Sequence, residues 1–156
     1  MKKKLLFVCL GNICRSPAAE AVFLSRIRSK NIEDLFQVDS AGTGGWHVGR
    51  KADKRMIDAA MKRGILIESV ARQISINDFN DFDLILTMDE SNFADLNFLI
   101  KELKTKPKAK VRPMLSFANN TNLLEVPDPY YGGENGFEEV LDLLEDAVEG
   151  LLLEIT

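Results

Sequence analysis

The sequence predicts an α/β fold, one domain with a parallel sheet and helices on both faces. Three observations carry that expectation. Short apolar runs alternate along the chain with longer amphipathic segments, the order that produces parallel strands joined by crossover helices. The 156 residues match the size of one domain. Hydrophobic residues make up 46% of the chain and charged residues 28%, so a core can be buried without disulfide or metal staples.

Each element has its own signature. Residues 4–9 form an apolar run with β-branched and aromatic members between turn residues, as a strand covered on both faces requires. Ser16-Pro17 then opens a helix, with serine as N-cap and proline at the first helical position; Ala19, Val22, Phe23 and Ile27 form its apolar face. A second strand is expected at 36–41, followed by a loop at 42–46. Residues 53–63 suit a helix with Met56, Ile57, Ala60 and Met61 inward and Gly64 as the stop. A third buried strand spans 83–88, centred on Leu84-Ile85-Leu86. The helix at 90–103 carries Phe93, Leu96, Leu99, Ile100 and Leu103 on one side. Residues 110–114 make a weaker strand, because Pro113 cannot donate to a ladder. The clearest helix runs over 136–155. There Phe137, Val140, Leu141, Leu144, Val148, Leu151, Leu152 and Ile155 keep the i, i+3, i+4, i+7 spacing.

Composition excludes several classes. Two cysteines cannot build a disulfide framework, and with one histidine they fall short of the usual four ligands of a structural zinc site. The formal net charge is −4, which disfavours non-specific nucleic-acid binding. The basic stretch from Lys101 to Arg112 reads as a solvated surface. No run approaches the length of a membrane span, and the apolar run after Lys2-Lys3-Lys4 stops too early for a signal peptide. A cytoplasmic location is therefore expected, with no membrane or nucleic-acid partner and both thiols reduced.

In such sheets ligands bind beyond the carboxyl ends of the strands. The loop after the first strand reads Cys9-Leu10-Gly11-Asn12-Ile13-Cys14-Arg15-Ser16. A short loop ending at a helix N-terminus points successive backbone N–H groups at an anion. Arg15 adds a bidentate grip, Gly11 permits unusual backbone geometry, and a thiol at the rim of this cradle has its thiolate stabilised. Ser16 can donate to the sulfur. Cys9 thus becomes a nucleophile beneath a bound phosphate with no histidine base. The leaving oxygen needs a general acid. Val126-Pro127-Asp128-Pro129-Tyr130-Tyr131 offers one carboxyl on a proline-stiffened loop beside two aromatic rings.

The two motifs together resemble those of the low-molecular-weight protein tyrosine phosphatases. Asp39-Ser40-Ala41-Gly42-Thr43, Trp46-His47-Val48-Gly49, Ala71-Arg72-Gln73 and Met88-Asp89-Glu90-Ser91 extend the match over nearly the whole chain. The resemblance implies a single phosphatase domain over 1–156, a three-layer unit with a four-stranded parallel twisted sheet. It implies hydrolysis of phosphotyrosine, in a protein or a small aryl phosphate, by way of a phosphocysteine on Cys9. Arg15 would clamp the phosphoryl oxygens, and Asp128 would act first as acid and then as base. Leu10, Gly11, Asn12, Ile13, Cys14 and Ser16 would form the phosphate-binding loop, with Ser40 supporting it. Trp46, Tyr130 and Tyr131 would wall the pocket, joined by the side chains of Leu10 and Ile13. Cys14 would be the redox partner of Cys9, trapping an oxidised nucleophile as a reversible disulfide. Inorganic phosphate or a similar oxyanion would occupy the site, without metal or cofactor. A monomer is expected, with weak dimerisation left open. One departure stands out: Ser69 occupies the position where the family often carries a histidine. His47 is expected to be exposed rather than catalytic.

Three rivals remain to be weighed. Arsenate reduction passes electrons through further cysteines, and none exists beyond Cys14. Phosphoarginine hydrolases with a similar loop carry threonine where Ile13 stands. A non-catalytic phosphopeptide binder has no need of Cys9, Arg15 and Asp128 together.

Overall fold

A computed structural model describes residues 1–130, 133 and 135–156. Four strands, β1 (Lys3–Cys9), β2 (Phe36–Gly42), β3 (Leu84–Thr87) and β4 (Lys110–Pro113), form one sheet in the order β2-β1-β3-β4. All pairings are parallel; Leu5 lies opposite both Val38 and Leu84, and Cys9 lies opposite Gly42. β1 is central, and Leu5 to Cys9 are at most 2% exposed. This continuous burial explains why the strand reads as an unbroken apolar run.

Alternation along β1 divides the core in two. Leu5, Phe7 and Cys9 face the larger layer, built with α1 (Arg15–Ser29), α2 (Lys54–Met61) and α5 (Asn135–Ile155). Leu6 and Val8 face the smaller one, with Phe79 of α3 (Asp78–Asp81) and Leu96 of α4 (Glu90–Lys101). The three-layer architecture is the one expected. α5 seals the larger face with Phe137, Val140, Leu141, Leu144, Val148, Leu151 and Leu152, none more than 3% exposed. Burying each such side chain contributes about 1.5–3 kcal/mol before the entropy of ordering is subtracted.

Several expected details differ. α1 begins at Arg15, two residues before the position that a Ser16 cap would set, and Cys14 stands at its N-cap without a side-chain bond. Pro17 is tolerated because the first amides of a helix have no intrahelical acceptor. Met61 is half exposed rather than inward. The buried stripe of α2 is Met56, Ala59 and Ala60, and Met61 lies beyond its edge at Ala60 by more than a quarter of a turn. Of the five apolar positions read on the fourth helix, only Leu96 is fully buried, and the others are half-buried over the thin edge of the sheet. The short α3 has no counterpart in the sequence reading.

Gly150, inside α5, sits against the 3₁₀ turn at Met114–Phe117, where an added Cβ would lie 1.9 Å from the Phe117 carbonyl oxygen. Backbone cannot yield as a flexible side chain does. We predict that Gly150→Ala destabilises the fold by about 1–3 kcal/mol despite the better helix propensity of alanine, read as a lower urea midpoint. An unchanged or higher midpoint would refute the close packing at this turn.

Candidate active site

The loop after β1 lies at the carboxyl end of the central strand, where the strand order reverses between β2 and β3. Its carbonyls are pinned from outside. Thr43 N–H donates to Cys9 O at 2.9 Å, Gly44 N–H to Leu10 O at 2.9 Å, and Asp53 N–H to Ile13 O at 2.8 Å. In a trans peptide the next N–H points opposite to the carbonyl. Pinning these three oxygens therefore turns the amides of Leu10, Gly11 and Cys14 the other way.

Asn12 holds the turn from within. Its backbone is left-handed, φ +58°, a region that asparagine tolerates better than most residues. Its Oδ1 accepts from Arg72 N–H at 3.0 Å, which fixes the amide orientation. Its Nδ2 then donates to Ser16 Oγ at 2.7 Å and to Ser40 Oγ at 3.0 Å. Its own N–H points at Cys9 Sγ at 3.3 Å. Because Ser16 Oγ already accepts from Asn12, its proton is available to Cys9 Sγ, 3.1 Å away. The sulfur thus sits under an amide donor and a hydroxyl that can also reach the Ala41 carbonyl at 3.4 Å, and Cys9, Asn12, Ser16 and Ser40 are all buried.

Arg15 is 3% exposed. Its Nη1 donates to Asp89 Oδ2 at 2.6 Å and to the Val126 carbonyl at 3.0 Å, while Nη2 lies 3.6 Å from Asp128 Oδ2. Burial pushes the guanidinium pKa down, but Cys9, Asp89 and Asp128 outweigh it and hold the value above the ordinary one. Asp128 is partly exposed and accepts from Tyr130 N–H at 3.0 Å, which orients its carboxyl within the loop. Val126 N–H donates to Met88 O at 2.7 Å and ties this loop to the end of β3.

These groups converge on one pocket of about 370 Å³, lined by Cys9, Leu10, Gly11, Ile13, Cys14, Arg15, Trp46, His47, Asp128 and Tyr130. Trp46 is held over Gly44, where any Cβ would collide with its ring. Arg55 lies over the Tyr130 ring at 5.4 Å and donates to the Tyr130 carbonyl, fastening that wall to α2. Every sequence-predicted site residue is brought to this pocket or to the hydrogen bonds beneath it, except Tyr131, which lies outside the described residues. His47 is not free at the surface: it is partly buried and lines the pocket. Cys14 is 4% exposed, and burial, then Asp53, Cys9 and Asp128, push its thiol up to about 12 against the pull of Arg55. Both cysteines are free thiols.

Sequence reasoning gave no role to Asp89, Arg72, Arg55 or Glu20. Asp89 had the clearest signal, since it follows a strand and caps a helix, with its side chain accepting from Asn92 N–H at 2.8 Å in a capping box. Arg72 acts partly through its backbone amide, which no residue type reveals.

Comparison with known proteins places this geometry. The family model for low molecular weight phosphotyrosine protein phosphatase matches residues 4–156. The human low molecular weight phosphotyrosine protein phosphatase is 47% identical over 138 residues, 88% of this chain and 86% of the human one. A protein tyrosine phosphatase from Entamoeba histolytica superposes with a TM-score of 0.92 at 44% identity, covering 99% of this chain and 97% of that one. A Drosophila arginine phosphatase superposes equally well, TM-score 0.92, at 34% identity over 99% of this chain and 97% of its own. With a matching family model over nearly its full length and relatives this similar, the chain belongs to the low molecular weight phosphotyrosine protein phosphatase family.

Proposed function

We propose that the chain, a single phosphatase domain over residues 1–156, hydrolyses phosphotyrosine through a phosphocysteine intermediate on Cys9. The observation that carries the reading is the placing of Cys9 Sγ against the Asn12 amide and the Ser16 hydroxyl, with Asp128 Oδ2 3.6 Å from the Arg15 guanidinium. A phosphomonoester enters with its non-bridging oxygens on the loop amides. Arg15 Nη1 is committed to Asp89 and Val126, so Nε and Nη2 form the fork for two phosphoryl oxygens. The Cys9 thiolate attacks phosphorus, the S–P bond forms, and the P–O bond to the phenol breaks. Asp128, carrying a proton, delivers it to the leaving oxygen. Water then attacks the phosphocysteine. Asp128, now a carboxylate, takes the water's proton, the S–P bond breaks, and inorganic phosphate leaves with the thiolate restored.

Leu10, Ile13, Trp46 and Tyr130 supply an apolar entrance suited to a flat aryl group. Phosphoarginine is the second reading, favoured by the likeness to the Drosophila arginine phosphatase. The branched, apolar side chain of Ile13 in the pocket lining argues for the aryl ester, because a guanidino group needs polar partners there. Cys14 serves as redox guard: if Cys9 is oxidised to a sulfenic acid, the Cys14 thiol condenses with it to a disulfide and water. Its high pKa keeps it from competing as a second nucleophile in the reduced enzyme. The setting that suits two reduced thiols is the cytoplasm, and the enzyme acts as a monomer on protein or small aryl phosphates.

Three measurements test the reading. Cys9→Ser should abolish turnover of an aryl phosphate at mildly acidic pH while phosphate still binds; residual turnover would remove the phosphocysteine. Asp128→Ala should lower kcat by about 10²–10⁴-fold for a phenyl ester and much less for a nitrophenyl ester, whose leaving group needs no proton. Equal losses on both would take the acid role from Asp128. Phosphotyrosine, phosphoserine and phosphoarginine peptides assayed side by side should rank in favour of phosphotyrosine. A flat profile, or a preference for phosphoarginine, overturns the substrate assignment.

A further inference from the structure

Glu20 is a carboxyl that the reaction just described does not use. It lies on the second turn of α1, partly buried, behind the loop rather than in the pocket. Its Oε1 accepts from Ser40 Oγ at 2.7 Å. Ser40 in turn accepts from Asn12 Nδ2, and the same amide nitrogen donates to Ser16 Oγ, which reaches Cys9 Sγ. Four hydrogen bonds therefore connect Glu20 to the nucleophile. Asn12 Oδ1 is held by the Arg72 amide, so its NH₂ must face the two serines. Ser40 then turns its own proton toward Glu20, while the Ser16 hydroxyl has both Cys9 Sγ at 3.1 Å and the Ala41 carbonyl at 3.4 Å within reach.

We propose that Glu20 is a positioning residue for the reaction, acting through Ser40 and Asn12, and that its carboxyl takes up a proton when an oxyanion occupies the loop. The proposal rests on the reading of that loop as a phosphate site. No Lys or Arg among the described residues lies within ion-pair distance of Glu20. Arg72, from the segment after α2, is a cation that acts on Glu20, but its guanidinium is already held by Asp39 at 2.9 Å and by Asp78 at 2.9 and 3.1 Å. Asp39 of β2 adds a like charge. Arg28 of α1 and Glu68 of the segment after α2 line a small pocket of about 50 Å³ that Glu20 shares with Ser69. Through that pocket the carboxyl exchanges protons with solvent. Burial is the main cause, ahead of the opposing Ser40 bond, that raises the Glu20 pKa from 4.5 to about 7.

The sign follows from the charges. An occupied loop holds a phosphate anion over Cys9, and the buried cation beside it, Arg15, is partly neutralised by Asp89. An ionised Glu20 behind the loop adds negative charge in a low-dielectric region. Binding of the anion therefore raises the proton affinity of Glu20, and by reciprocity protonation of Glu20 strengthens anion binding by the same factor. The hydrogen bonds survive either state, because the neutral acid still accepts from Ser40 at Oε1 and keeps its proton on the other oxygen. Glutamine is then a permanent mimic of the neutral form.

The experiment measures the inhibition constant of inorganic phosphate against aryl phosphate turnover for the wild type and for Glu20→Gln, from about pH 5 to about pH 9. The titration of phosphate itself cancels in the ratio of the two constants. That ratio, wild type over variant, should rise about three- to tenfold with increasing pH, with a midpoint at about 7. A purely structural role for Glu20 would shift the ratio equally at every pH. A second measurement needs no variant: the Glu20 carboxyl carbon, followed by NMR in the wild type, should titrate at a higher pH with phosphate bound. A flat or falling ratio, or a carboxyl titration indifferent to phosphate, overturns the inference and leaves the phosphatase reading standing. A wild type that neither hydrolyses aryl phosphate nor binds phosphate overturns both.

Discussion

The side-chain amide of Asn12 is the contact on which the site depends. One residue joins three parts of the chain that are distant in sequence: the loop itself through Ser16, β2 through Ser40, and the segment after α2 through the Arg72 amide. A left-handed backbone at a non-glycine residue is unfavourable unless its surroundings over-determine it. Here each hydrogen-bonding atom of the side chain is used, and burial at 2% exposure removes water as a competing partner. Removing this amide would leave two buried hydroxyls and a backbone N–H short of partners, so its effect is larger than any single bond. Arg72 itself is held by Asp39 and Asp78, so the rigidity of the loop extends to β2 and α3.

The architecture was legible because periodicity reports burial. β1 is covered on both faces and reads as an apolar run; α5 is covered on one face and reads as a 3.6-residue stripe. Cys9, Arg15 and Asp128 stood out because the proposed chemistry requires particular residue types in a strand–loop–helix context, and the structure gathers all three around one pocket. What escaped was set by tertiary contact. Ser16 looks like a helix cap, but its hydroxyl bonds Cys9 and Asn12, and the helix starts two residues earlier. Met61 looks inward by composition, yet the stripe of α2 fixed by Met56 and Ala60 leaves it outside. His47 looked like an ordinary surface residue, but the loop folds its ring against Gly11, 2.9 Å from where a Cβ would stand, and so brings it to the pocket. α3 is too short for any periodicity to show.

A single histidine is no obstacle to this chemistry, because the site divides the work differently. A histidine base would raise the nucleophilicity of a neutral thiol at the moment of attack. In the proposed reaction an amide, a hydroxyl and the Arg15 cation surround the Cys9 sulfur in advance, and the leaving group's proton passes through Asp128. Advance stabilisation needs a rigid frame, since donors that relax toward the sulfur lose their value. The outward pinning of the Cys9, Leu10 and Ile13 carbonyls provides that frame from neighbouring backbone, not from side chains.

The same logic explains how two cysteines coexist in so small a loop. Two thiolates would place two like charges beside one buried arginine. Burial and Asp53 keep Cys14 neutral, so the positive field of Arg15 and the amides serves Cys9 alone. Asp53 is itself held ionised by Arg55, whose hydrogen bond lowers its pKa, and it caps α2 by accepting from the Arg55 amide. Arg55 then reaches the Tyr130 carbonyl and packs over its ring. The cap of a helix, the protonation of the second thiol and the seating of Tyr130 in the pocket lining are therefore one electrostatic unit. A change at Asp53 or Arg55 would be felt at Cys14 and at Tyr130 together, and effects on those two residues would not add independently.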